Sequence, residues 1–157
     1  MTEERRKENK FILYTDIVGH TKMFGRLGAV FRPMRERHDE MFQQAIRTHA
    51  PSAIVQGSGD GFFAATDDVG AAIEAALAFR RALVTEDWGR FLPPEKRTPD
   101  NMIKARVGLH VGLVNVFYRD GVGKDFDGPP RTVAEKVMSM AVGNQVLLTR
   151  AVRDQGL

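Results

Sequence analysis

The spacing of apolar positions changes several times along the chain, and each change marks an element. Phe11-Ile12-Leu13-Tyr14 is a continuous apolar run closing on Thr15-Asp16, which predicts a strand over Lys10–Asp16. From Thr21 to about His49, Phe24, Leu27, Val30, Phe31, Met34, Met41, Phe42, Ala45 and Ile46 recur at helical spacing. They predict one long helix, bent near Pro33. Ala53–Gln56 and Gly61–Ala65 read as short strands around Gly57-Ser58-Gly59-Asp60, a hairpin. Asp68 caps the next helix, whose buried face is Ala71-Ala72-Ile73, Ala75-Ala76-Leu77 and Phe79.

Glu86–Asn101 carries Pro93, Pro94 and Pro99 and reads as a surface loop. Met102–Leu113 then alternates strictly. Ile103, Ala105, Val107, Leu109 and Val111 take one side of a strand, and Lys104, Arg106, Gly108 and His110 the other. Val114–Phe117 continues that strand or pairs back on it. Arg119–Pro130 is rich in Gly and Asp, hence a loop or hairpin tip. A helix over Arg131–Ala141, a strand over Gln145–Leu148 and the start of a helix at Thr149–Asp154 complete the chain. The order predicts an α+β sandwich with helices packed on a mostly antiparallel sheet.

With 157 residues the chain is a single domain, 1–157, with a charged lead over 1–9. A net charge of +3, spread along the chain, gives no basis for nucleic-acid binding. Cysteine is absent, which excludes disulfides and thiolate metal sites and fits a reducing cytoplasm. The first ten residues are charged rather than apolar, so no signal peptide or membrane segment is expected there.

The chemistry points to two carboxylates. Asp16 and Asp60 each stand where an apolar run gives way to glycine. If those strands are neighbours, the two acids converge as hard oxygen ligands, and Mg²⁺ held by one or two carboxylates usually also holds a phosphate. The plainer alternative is a turn residue at Asp60 and a strand-end cap at Asp16. Gly19-His20-Thr21 lies between a strand end and a helix start, where free amides form an anion site.

In this order, Thr15-Asp16-Ile17-Val18-Gly19-His20-Thr21, Gly59-Asp60-Gly61, Arg106-Val107-Gly108-Leu109-His110-Val111-Gly112, Gly128 to Val137 and Gly143 to Thr149 resemble the motifs of the class III nucleotide cyclases. These are the adenylyl and guanylyl cyclase catalytic domains, and the resemblance runs from about Lys10 to Thr149. It implies a ferredoxin-like cyclase fold without the family's C-terminal hairpin and its phosphate-contacting lysine. It also implies two metal ions, Mg²⁺ or Mn²⁺, on Asp16, the Ile17 carbonyl and Asp60. Gly19, His20 and Thr21 would cradle the phosphates through main chain, although the family usually has Phe at the position of His20. Arg106 would grip phosphate oxygens, and His110 would be structural.

By the same resemblance, Gln56 and Asp125 stand at the base-reading positions, where adenylyl cyclases commonly have Lys and Asp. Asp125 can accept the adenine amino hydrogens and would repel the O6 of guanine, which favours ATP. Thr132 and Lys136 replace an Asn that orients the ribose and an Arg that stabilises transition-state charge. Such a loss can cost on the order of 10² to 10³ in rate. The family site lies between two subunits, which implies a homodimer. Two function classes result. One is an enzyme making 3′,5′-cyclic AMP and pyrophosphate from ATP. The other is an inactive cyclase-homology domain that binds nucleotide or dimerises as a regulatory module.

Overall fold

The computed structural model describes residues 4–156. Strand β1 spans Arg6–Ile17, so it begins before Lys10 and takes in part of the charged lead. Arg6–Asn9 are recruited by backbone pairing with Val116–Leu113, which needs no apolar side chains. Helix α1 (His20–Leu27), a 3₁₀ turn (Gly28–Val30) and helix α2 (Phe31–His49) replace the single bent helix. The break lies at Gly28, whose φ of 58° ends α1, and not at Pro33. Pro33 falls in the first turn of α2, where its missing N–H costs no helical bond.

Strands β2 (Ile54–Ser58) and β3 (Gly61–Thr66) form the expected hairpin. Helix α3 (Val69–Thr85) starts at Asp68, whose side chain accepts from the Ala71 amide at 2.8 Å. The segment expected to be a surface loop instead folds into three 3₁₀ turns and buries Trp88 and Leu92. The Trp88 indole finds a partner in the Leu83 carbonyl at 3.1 Å. Strand β4 is continuous over Ala105–Arg119, and β5 (Gly123–Asp127) turns back on it. Helix α4 (Pro129–Ser139), strand β6 (Val146–Leu148) and helix α5 (Arg150–Gly156) follow.

The sheet is six-stranded in the order β2-β3-β1-β4-β5, with β6 parallel to the start of β4 and every other pair antiparallel. Side chains alternate across it. Phe11, Leu13 and Ile17 of β1 face the larger core under α1, α2 and α3, where Phe62 stacks on Phe42 and Phe79 meets Phe42 edge-on. Ile12 and Tyr14 face a second core with Phe63, Val114, Phe126, Ala134 and Met138, covered by α4. Gly108 permits that cover, because a Cβ there would lie 2.4 Å from the Met138 amide nitrogen. The sheet curls until its two ends meet, and Gln56 of β2 donates to the Phe126 carbonyl of β5 at 2.8 Å.

Candidate metal and nucleotide site

Strand pairing decides where the acids fall. Asp16 stands opposite Gly61 of β3 on one side and opposite Arg106 of β4 on the other. Asp60 precedes Gly61 in the tight turn between β2 and β3, so the two acids share one end of the sheet. Both raise the pKa of the Arg106 guanidinium, its hydrogen bond to Asp16 contributing most. Gly61 is required by this approach, since a Cβ there would sit 1.7 Å from the Thr15 carbonyl oxygen.

Arg106 is engaged. Its Nε and Nη2 donate to the two carboxylate oxygens of Asp16 at 2.9 and 2.6 Å, a bidentate pair. Tyr14 lies on the same face of β1 as Asp16, and its hydroxyl is 3.1 Å from Ser58 Oγ. Burial pushes its phenol above the usual pKa, against the lowering effect of the Ser58 bond. The negative charges of Glu135, Asp60 and Asp16 push the same way as burial.

The loop after Asp16 is shaped by backbone. Ile17 is buried, the Val18 amide donates to the Lys104 carbonyl at 2.8 Å, and Gly19 takes a left-handed φ of 64° to start α1. No side chain caps this helix and no acid occupies its first turn, so the amides of His20 and Thr21 keep their donor capacity for an anion. His20 opens α1, half-buried against Phe31, with Nε2 3.0 Å from Arg35 Nη1.

The second pair meets where the sheet curls. The Gln56 Nε2 donates to Asp125 Oδ1 as well as to the Phe126 carbonyl. Arg119 Nη1 donates to Asp125 Oδ2 at 3.0 Å, and the Phe126 amide donates to Oδ1 at 2.9 Å. Burial alone would raise the Asp125 carboxyl, but the bonds from Gln56, Arg119 and Phe126 outweigh it and hold it below the usual range. Both partners of the Gln56 Nε2 only accept, which fixes the amide orientation. Its Oε1 is then a buried acceptor without a partner among the described residues. Gln56, Asp125, Arg119 and Arg131 line one cavity of about 420 Å³.

Thr132 and Lys136 are both exposed on α4. Thr132 lines a polar cleft with Tyr14, Ser58, Arg131 and Glu135. Among the described residues neither Thr132 nor Lys136 hydrogen-bonds to Asp16 or Asp60. His110 bonds Thr149 Oγ1 through Nδ1 at 2.9 Å, a structural contact. Sequence reasoning missed Tyr14, Ser58 and Arg119. Arg119 was hidden because β4 runs two residues past Phe117, into a stretch whose Gly and Asp content reads as loop.

The family described as adenylate and guanylate cyclase catalytic domain matches residues 2–156. The chain belongs to that family. It is 23% identical over 168 residues to receptor-type adenylate cyclase B of Leishmania donovani, covering 89% of this chain and 12% of that protein. It is 26% identical over 169 residues to a receptor-type adenylate cyclase of Trypanosoma congolense, covering 89% of this chain and 22% of that protein. This cyclase domain thus spans a minor part of the relatives it matches.

The fold agrees with solved cyclases. An adenylate cyclase of Trypanosoma brucei in its monomeric state superposes with a TM-score of 0.81 at 22% identity, over 95% of this chain and 75% of that one. The adenylyl cyclase CyaB of P. aeruginosa gives 0.81 at 17% identity, over 96% and 81%. A rhodopsin-guanylyl cyclase core with converted specificity, in complex with ATPalphaS, gives 0.78 at 15% identity, over 96% and 83%. The cyclase fold, α+β with helices packed on a mostly antiparallel sheet, is therefore established for this chain.

Proposed function

We propose that this cyclase domain converts ATP into 3′,5′-cyclic AMP and pyrophosphate, with two Mg²⁺ or Mn²⁺ ions, at the interface of a homodimer. The observation that carries this reading is the placement of Asp16 and Asp60 at one end of the sheet, beside Arg106. The donor set fits a hard cation. Two carboxylates and the Ile17 carbonyl offer oxygen ligands, and among the described residues no larger cluster of His, Asp and Glu closes the site. Positions are thereby left for phosphate and water. When bound, the ions would neutralise triphosphate charge and favour ionisation of the ribose 3′-hydroxyl.

The chain's own residues have separate tasks. Asp16, Ile17 and Asp60 hold the ions. The Gly19, His20 and Thr21 amides take phosphate oxygens. Arg106 moves its guanidinium from Asp16 to a phosphate, a bidentate exchange of like geometry. The ionised Asp125, oriented by the Gln56 amide, accepts from the adenine amino group, and it would face the O6 acceptor of guanine with repulsion. The names of the relatives, adenylate cyclases, support the same base.

Thr132 offers a hydroxyl to the ribose and Lys136 a charge to the phosphate. Both do so with less geometric control than an amide or a guanidinium. The exposed Leu113, Tyr118 and Val122 on the β4–β5 arm, and Met140 at the end of α4, support burial against a second copy. Among the described residues no helix is long and apolar enough to cross a membrane. We place the reaction in the cytoplasm, where ATP and Mg²⁺ are supplied.

A second reading is a nucleotide-binding or dimerising module without turnover. The occupation of Asp16 by Arg106, together with the exposed Thr132 and Lys136, favours it. Incubation with each common nucleoside triphosphate and Mn²⁺, with analysis for cyclic product and pyrophosphate, separates the two. Cyclic AMP from ATP supports the enzyme. Nucleotide-dependent thermal stabilisation without any cyclic product supports the module.

A further inference from the structure

Arg35 lies on α2, outside both clusters, and yet reaches the start of α1, four residues after Asp16, and the turn that carries Asp60. Its Nη1 is 3.0 Å from Nε2 of His20, the first residue of α1. Its Nη2 donates to the Gly59 carbonyl at 2.6 Å, one residue before Asp60. Its Nε donates to Asp39 Oδ1 at 3.0 Å, one helical turn on. Three groups of one rigid fork are committed to three different segments.

The chemistry fixes the roles. A guanidinium only donates, so His20 must present an Nε2 lone pair and is neutral with its proton on Nδ1. Asp39 is held ionised. Burial would raise its pKa, but hydrogen bonds from His38 and Arg35 overcome this. His38 is fully buried between Phe62 and Phe79 and is 2.8 Å from Asp39 Oδ1 through Nδ1. A path of contacts therefore runs from the core through His38, Asp39 and Arg35 to His20 and to the Gly59 carbonyl.

Gly59 and Asp60 form the tip of the β2–β3 hairpin, between the paired Ser58 and Gly61, and Gly59 takes a left-handed φ of 54°. Turn tips are free to rock unless something outside the ladder holds them. Here that role falls to the bond from Arg35.

We propose that Arg35 is a positioning residue that fixes the distance between Asp16 and Asp60 by clamping the start of α1, just after Asp16, to the turn that bears Asp60. The inference rests on the metal reading of those acids, and it extends that reading to a residue that touches neither ion nor substrate. Partners behind metal ligands typically change affinity about 10- to 100-fold when removed.

The test uses Arg35→Ala, Arg35→Lys and His20→Phe in the full chain, with Mn²⁺ affinity by electron paramagnetic resonance, thermal midpoint, and backbone order parameters by NMR. Arg35→Lys can keep the ion pair with Asp39 but cannot reach His20 and Gly59 together. Clamping predicts a thermal midpoint near that of the unmodified protein for Arg35→Lys, with Mn²⁺ binding about tenfold weaker. It also predicts order parameters at Gly59 and Asp60 falling from about 0.85 to below about 0.6 in Arg35→Ala. His20→Phe should weaken Mn²⁺ binding less, because the Gly59 bond survives. Unchanged Mn²⁺ affinity with unchanged order parameters overturns the proposal. If the unmodified protein binds no Mn²⁺, the metal reading fails by itself. The order parameters then decide the clamp alone, a fall at Gly59 and Asp60 upholding it and no change refuting it.

Discussion

Arg106 grips both carboxylate oxygens of Asp16 from the facing position on β4, at 2.9 and 2.6 Å. A cation bound at Asp16 therefore competes with a guanidinium already seated there, and the released guanidinium becomes available to phosphate. Arg106→Ala is expected to raise Mn²⁺ affinity in the absence of nucleotide and to lower triphosphate affinity. The side chains are 27% and 11% exposed, so removing Arg106 should destabilise the fold by roughly 1–3 kcal/mol, less than for a fully buried pair. Calorimetric titration with Mn²⁺ and with a non-hydrolysable triphosphate measures both effects. A fall in both affinities contradicts the exchange.

Gly61 is where β3 presses on β1. Gly61→Ala places a methyl group against the Thr15 carbonyl oxygen and must push the strands apart at Asp16. Overpacking of this kind costs about 3 kcal/mol. A urea midpoint lowered accordingly, together with lost Mn²⁺ binding, is the expected outcome.

Asp125 is expected to choose the base through its negative charge. Asp125→Asn keeps the size and removes the ionised acceptor, while its amide can turn a donor toward a guanine O6. The preference for ATP over GTP should fall about tenfold or more. Competitive displacement of a fluorescent ATP analogue by each nucleotide reads this ratio. An unchanged ratio would move base recognition away from the curl of the sheet.

Thr132→Asn with Lys136→Arg should raise cyclic AMP formation by on the order of 10² if the geometry of α4 limits turnover. Product analysis under saturating ATP measures it. No increase would show that something else limits the rate.

His110 gives a pH dependence separate from the site. Burial lowers its pKa below the ordinary 6.5, so the folded state holds it neutral where the unfolded chain takes up a proton. Its cost is absent above about pH 6.5 and grows as pH falls from there toward the depressed folded value. His110→Asn should lose less stability than the unmodified protein between about pH 7.5 and about pH 5.5, by urea denaturation at each pH.

The strands and helices were legible where side-chain periodicity was strong. β1, the β2–β3 hairpin, the Asp68 cap and the alternation in β4 all stand as the apolar pattern indicated. What escaped was decided by backbone. The helix broke at Gly28 because of a positive φ that composition does not reveal, while Pro33 proved harmless in a first turn. Arg6–Asn9 joined β1 through its ladder with β4, not through an apolar pattern.

The site divides in the same way. Asp16, Asp60, Gln56 and Asp125 are brought together in the two pairs the motifs suggested, the first by strand register and the second by the curl of the sheet. Arg35 and Tyr14 depend on contacts between distant elements that no spacing in the sequence announces, and Arg119 on the extension of β4 into a stretch that reads as loop.

A titration of Mn²⁺ into the unmodified protein, Asp16→Asn and Asp60→Asn, followed by electron paramagnetic resonance, tests the central claim most directly. If the two acids form one cation seat, the unmodified protein binds Mn²⁺ and each single substitution weakens it by about 10-fold or more. Equal affinity in all three proteins would contradict a shared seat at the end of β1 and β3.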